Sequence, residues 1–157
     1  MSTGALATFA FAPATVDVLA PGAQSSLQDW PGRLGYWHVG VPPSGPMDAL
    51  SFRLANRLVG NPANAAALEC TLTGPRLRFR SAAVVALTGA DMGATLNGAP
   101  LERFRPAVVS AGGVIELGPL RGAGSRAYLA VRGGIDVPVY LGSRSTFTLG
   151  LFGGHSG

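Results

Sequence analysis

Two stretches of the sequence concentrate the polar side chains that could do chemistry. The first, residues 28–48, is rich in glycine and proline and carries six polar groups: Gln28, Asp29, Arg33, His38, Ser44 and Asp48. The second is the run GSRST at residues 142–146, which contains Ser143, Arg144 and Ser145. Three hydroxyls, a guanidinium and turn-prone backbone within five residues can cradle an oxyanion or a phosphate. The same hydroxyls can also serve only to cap a turn.

The first stretch ends in a predicted helix start. Ser44 supplies a capping hydroxyl, Pro46 an early proline and Asp48 an acidic first turn, ahead of apolar residues at helical spacing. Gly60, followed by Asn-Pro, ends the helix. Unpaired amide hydrogens and the positive dipole end at such a start suit a carboxylate, carbamate or phosphate. Ser44 and Asp48 could equally act as caps alone, but the size and polar content of the loop favour a binding site.

Asp29 and Arg33 are four residues apart and allow two interpretations. They could pair with each other across a turn, or they could bind a planar carboxylate through the guanidinium fork. His38 is predicted to be a packed, hydrogen-bonded histidine rather than a base. The sequence has no His-x-His or His-Glu-x-x-His spacing, so no metal site built by the protein is predicted.

The absence of lysine excludes several chemistries. All twelve basic side chains are arginine. The chain therefore cannot form a lysine Schiff base, carry a biotinyl-lysine or build a P-loop. Cys70 is the single cysteine and follows an apolar run, which predicts a small buried hydrophobic residue rather than a nucleophile.

The formal net charge is +4, and the arginines cluster at one place only. Arg76, Arg78 and Arg80 alternate with Leu77 and Phe79, which is typical of a strand with a charged outer face. We favour a solvated strand face, or an edge protected by charge, over an anion-binding or partner-binding stripe. No nucleic-acid-binding motif accompanies the stripe, so no nucleic-acid partner is predicted.

Most of the chain predicts short strands. We expect strands at residues 16–20, 69–73, 76–80, 83–87, 93–97, 107–110, 113–117 and 126–131, with a hairpin turn at Asn97-Gly98. Residues 24–46 are expected to be irregular, and a short second turn could form at 64–68. The pattern predicts a mainly β fold with one or two short helices.

The two ends of the chain carry their own signals. Residues 1–15 lack a basic start and a long apolar centre, which predicts an irregular tail rather than a secretory signal. No apolar run approaches the roughly 20 residues of a membrane span, so we expect a cytoplasmic protein without a membrane partner. The glycine-rich stretch 149–157 resembles a cut within a loop.

Several motifs together resemble one family. They are QDWPGRLGY at 28–36, GVPPSGPMD at 40–48, LANRLVGN at 54–61, LTGAD at 87–91, YLAVRGGI at 128–135 and LGSRST at 141–146. This set is similar to the biotin-dependent carboxyltransferase family, which includes allophanate hydrolase subunit 2 and the C component of 5-oxoprolinase. The resemblance implies a cyclophilin-like β-barrel architecture for residues 16–157. Because family members run to roughly twice this length, the chain resembles an N-terminal half.

The resemblance also implies site residues. Ser44 and Asp48 are expected to be catalytic. The expected substrate-binding residues are Gln28, Asp29, Arg33, Asn56, Ser143, Arg144 and Ser145.

Three functions follow from the resemblance. The leading expectation is a subunit of an ATP-dependent 5-oxoprolinase complex that opens 5-oxoproline to glutamate. The first alternative is carboxyl transfer from carboxybiotin, held on a separate carrier, to urea or a related amide. The second is a non-enzymatic regulator that binds a sister protein resembling a kinase inhibitor. Each implies a sister subunit of the allophanate hydrolase subunit 1 type. The leading expectation and the first alternative both imply a small anionic or amide substrate and no directly bound cofactor. Both also imply little activity for this chain alone.

Overall fold

Two antiparallel five-stranded sheets form the protein in its computed structural model, which describes residues 14–155. The strands are β1 (Val16–Ala20), β2 (Gln24–Gln28), β3 (Ala67–Thr71), β4 (Arg76–Phe79), β5 (Ala83–Gly89), β6 (Thr95–Leu96), β7 (Ala99–Pro100), β8 (Pro106–Val109), β9 (Val114–Glu116) and β10 (Arg126–Val131). The first sheet has the order β1-β4-β9-β6-β7, and the second has the order β2-β3-β10-β5-β8. A single α-helix, α1 (Ala49–Leu58), and a 3-10 turn at Trp37–Val39 complete the described elements.

The two sheets enclose one hydrophobic core. Alternate residues of each strand point inward, as the period-2 pattern requires. Val85, Leu87 and Leu129 of the second sheet pack with Phe79 and Ile115 of the first, and all five are almost fully buried. The expected mainly β fold is therefore confirmed, with its barrel-like body built from two sheets around a shared interior.

Helix α1 covers the outer face of the second sheet. Phe52 and Ala55 of the helix, and Val59 directly after it, are fully buried. They pack on a sheet surface that includes Ala86 and Tyr128. The Phe52 and Tyr128 rings meet edge to face at 5.9 Å. Burying an aromatic side chain such as Phe52 contributes roughly 1.5–3 kcal/mol. This packing holds the start of α1 against the second sheet.

Strand prediction succeeded wherever apolar alternation was present. The strands at 16–20 and 126–131 have the predicted bounds, and the Asn97-Gly98 turn joins β6 to β7 as expected. Strand β2 was missed, because QSSLQ has no apolar alternation and its pairing with β3 determines its conformation. The expected short turn lies at residues 63–64, and β3 begins at Ala67, so no second α-helix forms within residues 14–155.

The arginine stripe is a paired, exposed strand face. Arg78 and Arg80 both bind Asp17, with Nε–Oδ2 distances of 3.1 and 2.7 Å, while Arg76 lies 3.6 Å from Glu116. The variant in which the stripe protects a sheet edge is wrong, because β4 lies between β1 and β9. The favoured interpretation, a solvated charged face, agrees with this arrangement.

Within residues 14–155 no helix has the length and apolar character needed to cross a bilayer. The expected tail, residues 1–15, lies outside the described part except for Ala14 and Thr15. The Thr15 carbonyl accepts a hydrogen bond of 2.9 Å from the amide of Arg80.

Candidate functional site

Asp29 joins the two polar stretches through contacts with residues 114–116 positions later in the sequence. Its Oδ1 accepts hydrogen bonds from the hydroxyls of Ser143 and Ser145 at 2.5 and 2.7 Å. Its Oδ2 accepts from the amide of Arg144 at 2.7 Å, and its own amide donates to the Ser145 hydroxyl at 3.0 Å. One carboxylate therefore fixes the GSRST run beside the end of β2.

Arg33 lies beside this contact and is 1% exposed. Its Nε donates to the Tyr140 carbonyl at 3.1 Å, its Nη1 to the Ser44 hydroxyl at 3.0 Å, and its Nη2 to the Ser145 carbonyl at 2.8 Å. Burial lowers the pKa of Arg33, and the charge of Asp29 opposes that shift. Among the described residues Asp29 and Arg33 form no direct ion pair, so the interpretation that they pair with each other is wrong.

Two glycines let the loops around Arg33 approach closely. Gly32 has φ +89°, and a Cβ there would lie 1.8 Å from the Ser44 carbonyl oxygen. Gly45 faces it with φ +121°, and a Cβ there would lie 2.9 Å from the Pro31 carbonyl oxygen. Larger residues at either position would separate the loops and withdraw Ser44 from Arg33.

The GSRST run uses its hydroxyls internally. The Ser145 amide donates to the Ser143 hydroxyl at 3.0 Å, and the Thr146 hydroxyl accepts from the Leu27 amide at 3.2 Å. Arg144 differs from these residues. Its Nε donates to the Val137 carbonyl at 3.1 Å, whereas its terminal nitrogens make no hydrogen bond within residues 14–155. The capped-turn interpretation fits the hydroxyls, and the Arg144 guanidinium remains the group able to contact a ligand.

The start of α1 is closed by the protein's own side chains. The Gly45 amide donates to Gln28 Oε1 at 3.0 Å, and the Met47 amide donates to Glu69 Oε2 at 2.8 Å. The Asp48 amide donates to the Tyr128 hydroxyl at 2.7 Å. The expectation that this helix start presents bare amide hydrogens to an anion is therefore wrong, because Glu69 supplies an internal carboxylate.

Asp48, not Ser44, is the residue that caps α1. Asp48 Oδ1 accepts from the amides of Leu50 and Ser51 at 3.0 Å each, and its Oδ2 accepts from the Ser51 hydroxyl at 2.5 Å. The hydroxyl of Ser51 and these amides lower the pKa of Asp48. Ser44 instead accepts from Arg33. Catalytic roles for Ser44 and Asp48 stay predictions, since both side chains already have structural partners.

Glu69 and Tyr128 are residues of this region that sequence reasoning did not select. The Tyr128 hydroxyl donates to Glu69 Oε2 at 2.8 Å while it accepts from the Asp48 amide. Burial raises the pKa of Tyr128, with the adjacent Glu69 adding to the shift. Arg126 Nε lies 3.7 Å from Glu69 Oε1 and is buried without a hydrogen bond. A carboxylate within the otherwise apolar run AALEC was the available signal.

Asn56 and Cys70 take structural positions, whereas His38 does not. Asn56 is fully buried, donating to the Ala65 carbonyl at 2.9 Å and accepting from Asn61 Nδ2 at 2.9 Å, so it ties α1 to the following turn. Cys70 is buried as predicted, and burial raises the pKa of its thiol from 9.0 to about 12. The prediction that His38 is packed is wrong, because it lies exposed in the 3-10 turn.

A large cavity lies elsewhere. Its volume is about 1000 Å³, and it opens between the sheets along walls that include Val18, Leu77, Phe79 and Leu129. None of the nine predicted site residues lines it. Within the described residues, no three His, Cys, Asp or Glu side chains are grouped as a metal site would require.

Sequence comparison identifies the class of domain. The pattern of the carboxyltransferase domain, subdomains A and B, matches residues 39–157. The chain therefore belongs to the carboxyltransferase domain family, as the motifs indicated.

Individual relatives differ in how much of the chain they match. The chain is 52% identical to the urea amidolyase of Saccharomyces cerevisiae over 157 residues, covering all of this chain and 8% of that protein. It is 40% identical to the C component of the Escherichia coli 5-oxoprolinase over 129 residues, covering 82% of this chain and 41% of the relative. The chain thus spans less than half the length of either.

A solved structure shares the fold. The Kluyveromyces lactis urea carboxylase superimposes with a TM-score of 0.89 at 53% identity, covering 96% of this chain and 13% of that one. The two-sheet body with its single helix is therefore the arrangement found within a urea carboxylase.

Proposed function

We propose that this chain is part of a carboxyltransferase that moves a carboxyl group from carboxybiotin to urea. The observation that carries the proposal is the match to urea amidolyase at 52% identity over the whole chain, against 40% over 82% for the 5-oxoprolinase component. This order reverses the sequence-based expectation, in which 5-oxoproline opening led. The expectation had no basis for ranking the two, because both kinds of relative share the motifs.

The donor must come from outside this chain. A biotinyl group requires a lysine, and the sequence contains none. Carboxybiotin would supply the carboxyl group from a separate carrier or another domain. The residues present here would bind and orient the anionic carboxyl group rather than hold the cofactor covalently.

Arg144 is the proposed contact to that carboxyl group. Asp29 fixes its backbone and Val137 its Nε, which leaves the terminal nitrogens of the guanidinium to donate. A planar guanidinium edge matches a carboxylate through two parallel hydrogen bonds. Asp29, Arg33 and Ser145 would act as positioning residues that hold Arg144 in place.

A segment exchange tests the assignment. The present chain would replace the aligned segment of the yeast urea amidolyase, and urea-dependent ATP hydrolysis would be measured. A second exchange, into the aligned segment of the E. coli 5-oxoprolinase component, would be assayed with 5-oxoproline. We expect activity in the first and a clear loss in the second. The opposite result would restore 5-oxoproline opening as the function.

Arg144→Gln in the first exchange protein tests the proposed contact. We expect kcat/KM for urea-dependent turnover to fall by about 100-fold, the scale on which loss of one positioned donor to a developing charge acts. Arg57→Gln, an exposed helix position, is the matched control and should leave turnover unchanged. Unchanged activity of the Arg144 variant would remove Arg144 from the site.

The remaining expectation is that the protein binds a partner protein. A sister subunit of the allophanate hydrolase subunit 1 type would cover some of the exposed apolar side chains, such as Trp37, Met47 and Leu50, each at least 72% exposed. In the non-enzymatic alternative, the glycine- and proline-rich loop and the stripe of Arg76, Arg78 and Arg80 would contact the sister protein without turnover. Co-purification with a candidate sister protein, followed by the exchange assay, separates binding from catalysis.

A further inference from the structure

Another cavity lies at the β6–β7 edge of the first sheet. It measures about 360 Å³ and sits beside the β6–β7 hairpin. It shares no residue with the Asp29 contacts or the start of α1. Its volume lies in the lower part of the range of small-molecule sites, roughly 300–1000 Å³. Its wall carries four charged side chains, which are Asp91, Glu102, Arg103 and Arg121.

Arg121 is held against this cavity by its backbone and by a glycine. The Arg121 amide donates to the Asp91 carbonyl at 2.7 Å, which pairs the two residues as an isolated bridge. The guanidinium lies over Gly93, where a Cβ would be 2.2 Å from Arg121 Cζ. Within residues 14–155 this guanidinium has neither a hydrogen bond nor an ion pair. A planar donor group therefore borders the cavity without an internal acceptor.

The other charges of the wall have partners. Glu102 accepts from Arg105 Nη1 at 2.6 Å, and Asp91 Oδ1 accepts from the Gly93 amide at 2.7 Å. Arg103 uses Nη1 for the Gly89 carbonyl at 2.6 Å, which anchors a second guanidinium at the cavity. Arg105 neutralises the charge of Glu102. Arg103 and Arg121 then face one remaining carboxylate, Asp91, so the cavity has an excess of positive charge.

We propose that this cavity binds a small oxyanion, of the carboxylate or phosphate type, through the guanidinium of Arg121. Arg121 supplies the fork that recognises two oxygens at once. The anchored Arg103 adds a second positive charge, and the missing side chain of Gly93 makes room for the fork. The site is separate from the carboxyl-transfer region and does not depend on the function proposed above.

Titration of the full 157-residue chain tests the proposal. Malonate and inorganic phosphate serve as probes of the two oxyanion types, at ionic strength held constant with sodium chloride, and amide resonances near the cavity report binding by NMR. We expect saturable binding of at least one probe, with shifts at Gly93 and Arg121. Tighter binding of malonate would assign a carboxylate ligand, and tighter binding of phosphate a phosphate ligand.

Three variants make the test specific. Arg121→Gln should raise the dissociation constant at least tenfold. Arg121→Lys retains the charge but loses the fork, and should give an intermediate value. Arg57→Gln removes the same charge from an exposed helix position outside the cavity and should stay within twofold. Absence of saturable binding of both probes, or equal affinity in the Arg121→Gln protein, would overturn the proposal. Arg121 is exposed, so these variants should fold, and circular dichroism verifies it.

Discussion

At the scale of single residues, Arg33 illustrates how a buried charge organises loops. Its three donors reach two carbonyls and one hydroxyl that belong to different segments, Tyr140, Ser145 and Ser44. All three acceptors are neutral, and the charge of Asp29 opposes the lowering of the Arg33 pKa that burial causes. Such an arrangement fixes geometry more than it adds stability, because desolvation of a guanidinium offsets much of the gain.

Removing Arg33 should therefore be costly, even though its hydrogen bonds add little net stability. Arg33→Met leaves three acceptors without a donor and Asp29 without the neighbouring positive charge. We expect the free energy of unfolding to fall by about 3–5 kcal/mol, because each of the three acceptors left without a donor costs about 1–3 kcal/mol. Urea denaturation measures the change. Arg57→Met, at an exposed helix position, should stay within about 0.5 kcal/mol, and an equal loss in both variants would contradict a network role.

At the scale of elements, the start of α1 shows both the reach and the limit of sequence reasoning. The helix, and its termination before Gly60, follow from local spacing and were predicted. The closure of its first amides was not, since Glu69 and Tyr128 come from strands 21 and 80 residues beyond Asp48. Local signals identify a helix terminus, but they do not show which distant strand will supply its acceptors.

The cap at Asp48 gives a pH-dependent prediction. Its folded-state pKa is lowered by the Ser51 hydroxyl and by backbone amides, so its stabilisation is present above the ordinary value of 3.8 and is lost as pH falls through the lowered pKa. Asp48→Ala should cost about 1 kcal/mol at pH 7. This difference from the unmodified protein should shrink as the pH is lowered from 7 to well below 3.8, measured by urea denaturation across that range.

The control for the cap is Asp48→Asn, which keeps an oxygen acceptor but cannot titrate. We expect it to retain most of the stability at neutral pH and to show a weaker dependence on pH in the acid range. A constant difference between the Ala variant and the unmodified chain from neutral pH down to about pH 2.5 would show that the carboxylate charge is unimportant at the cap.

At the scale of the whole molecule, composition and alternation predict the class of fold but not its pairing. The two faces of β5 follow from period-2 spacing, with Val85 and Leu87 inward and Ala86 toward the helix. One partner of β5 is β10, some forty residues later, and no local feature of either strand specifies this pairing. The same applies to the site, where residue types identified Asp29 and the GSRST run, while only the fold brings them into contact.

The opening between the sheets gives a prediction for the molecule as a whole. The 1000 Å³ cavity exposes apolar walls, so the native chain should bind a hydrophobic dye such as anilinonaphthalene sulfonate. Val18 lines the cavity and Val39 does not, yet both are 63% exposed. Val18→Asp should lower dye fluorescence at least twofold, because a carboxylate in an apolar groove must remain hydrated. Val39→Asp adds the same charge and should change the dye fluorescence little. Equal losses of fluorescence in the two variants would place the dye outside the cavity.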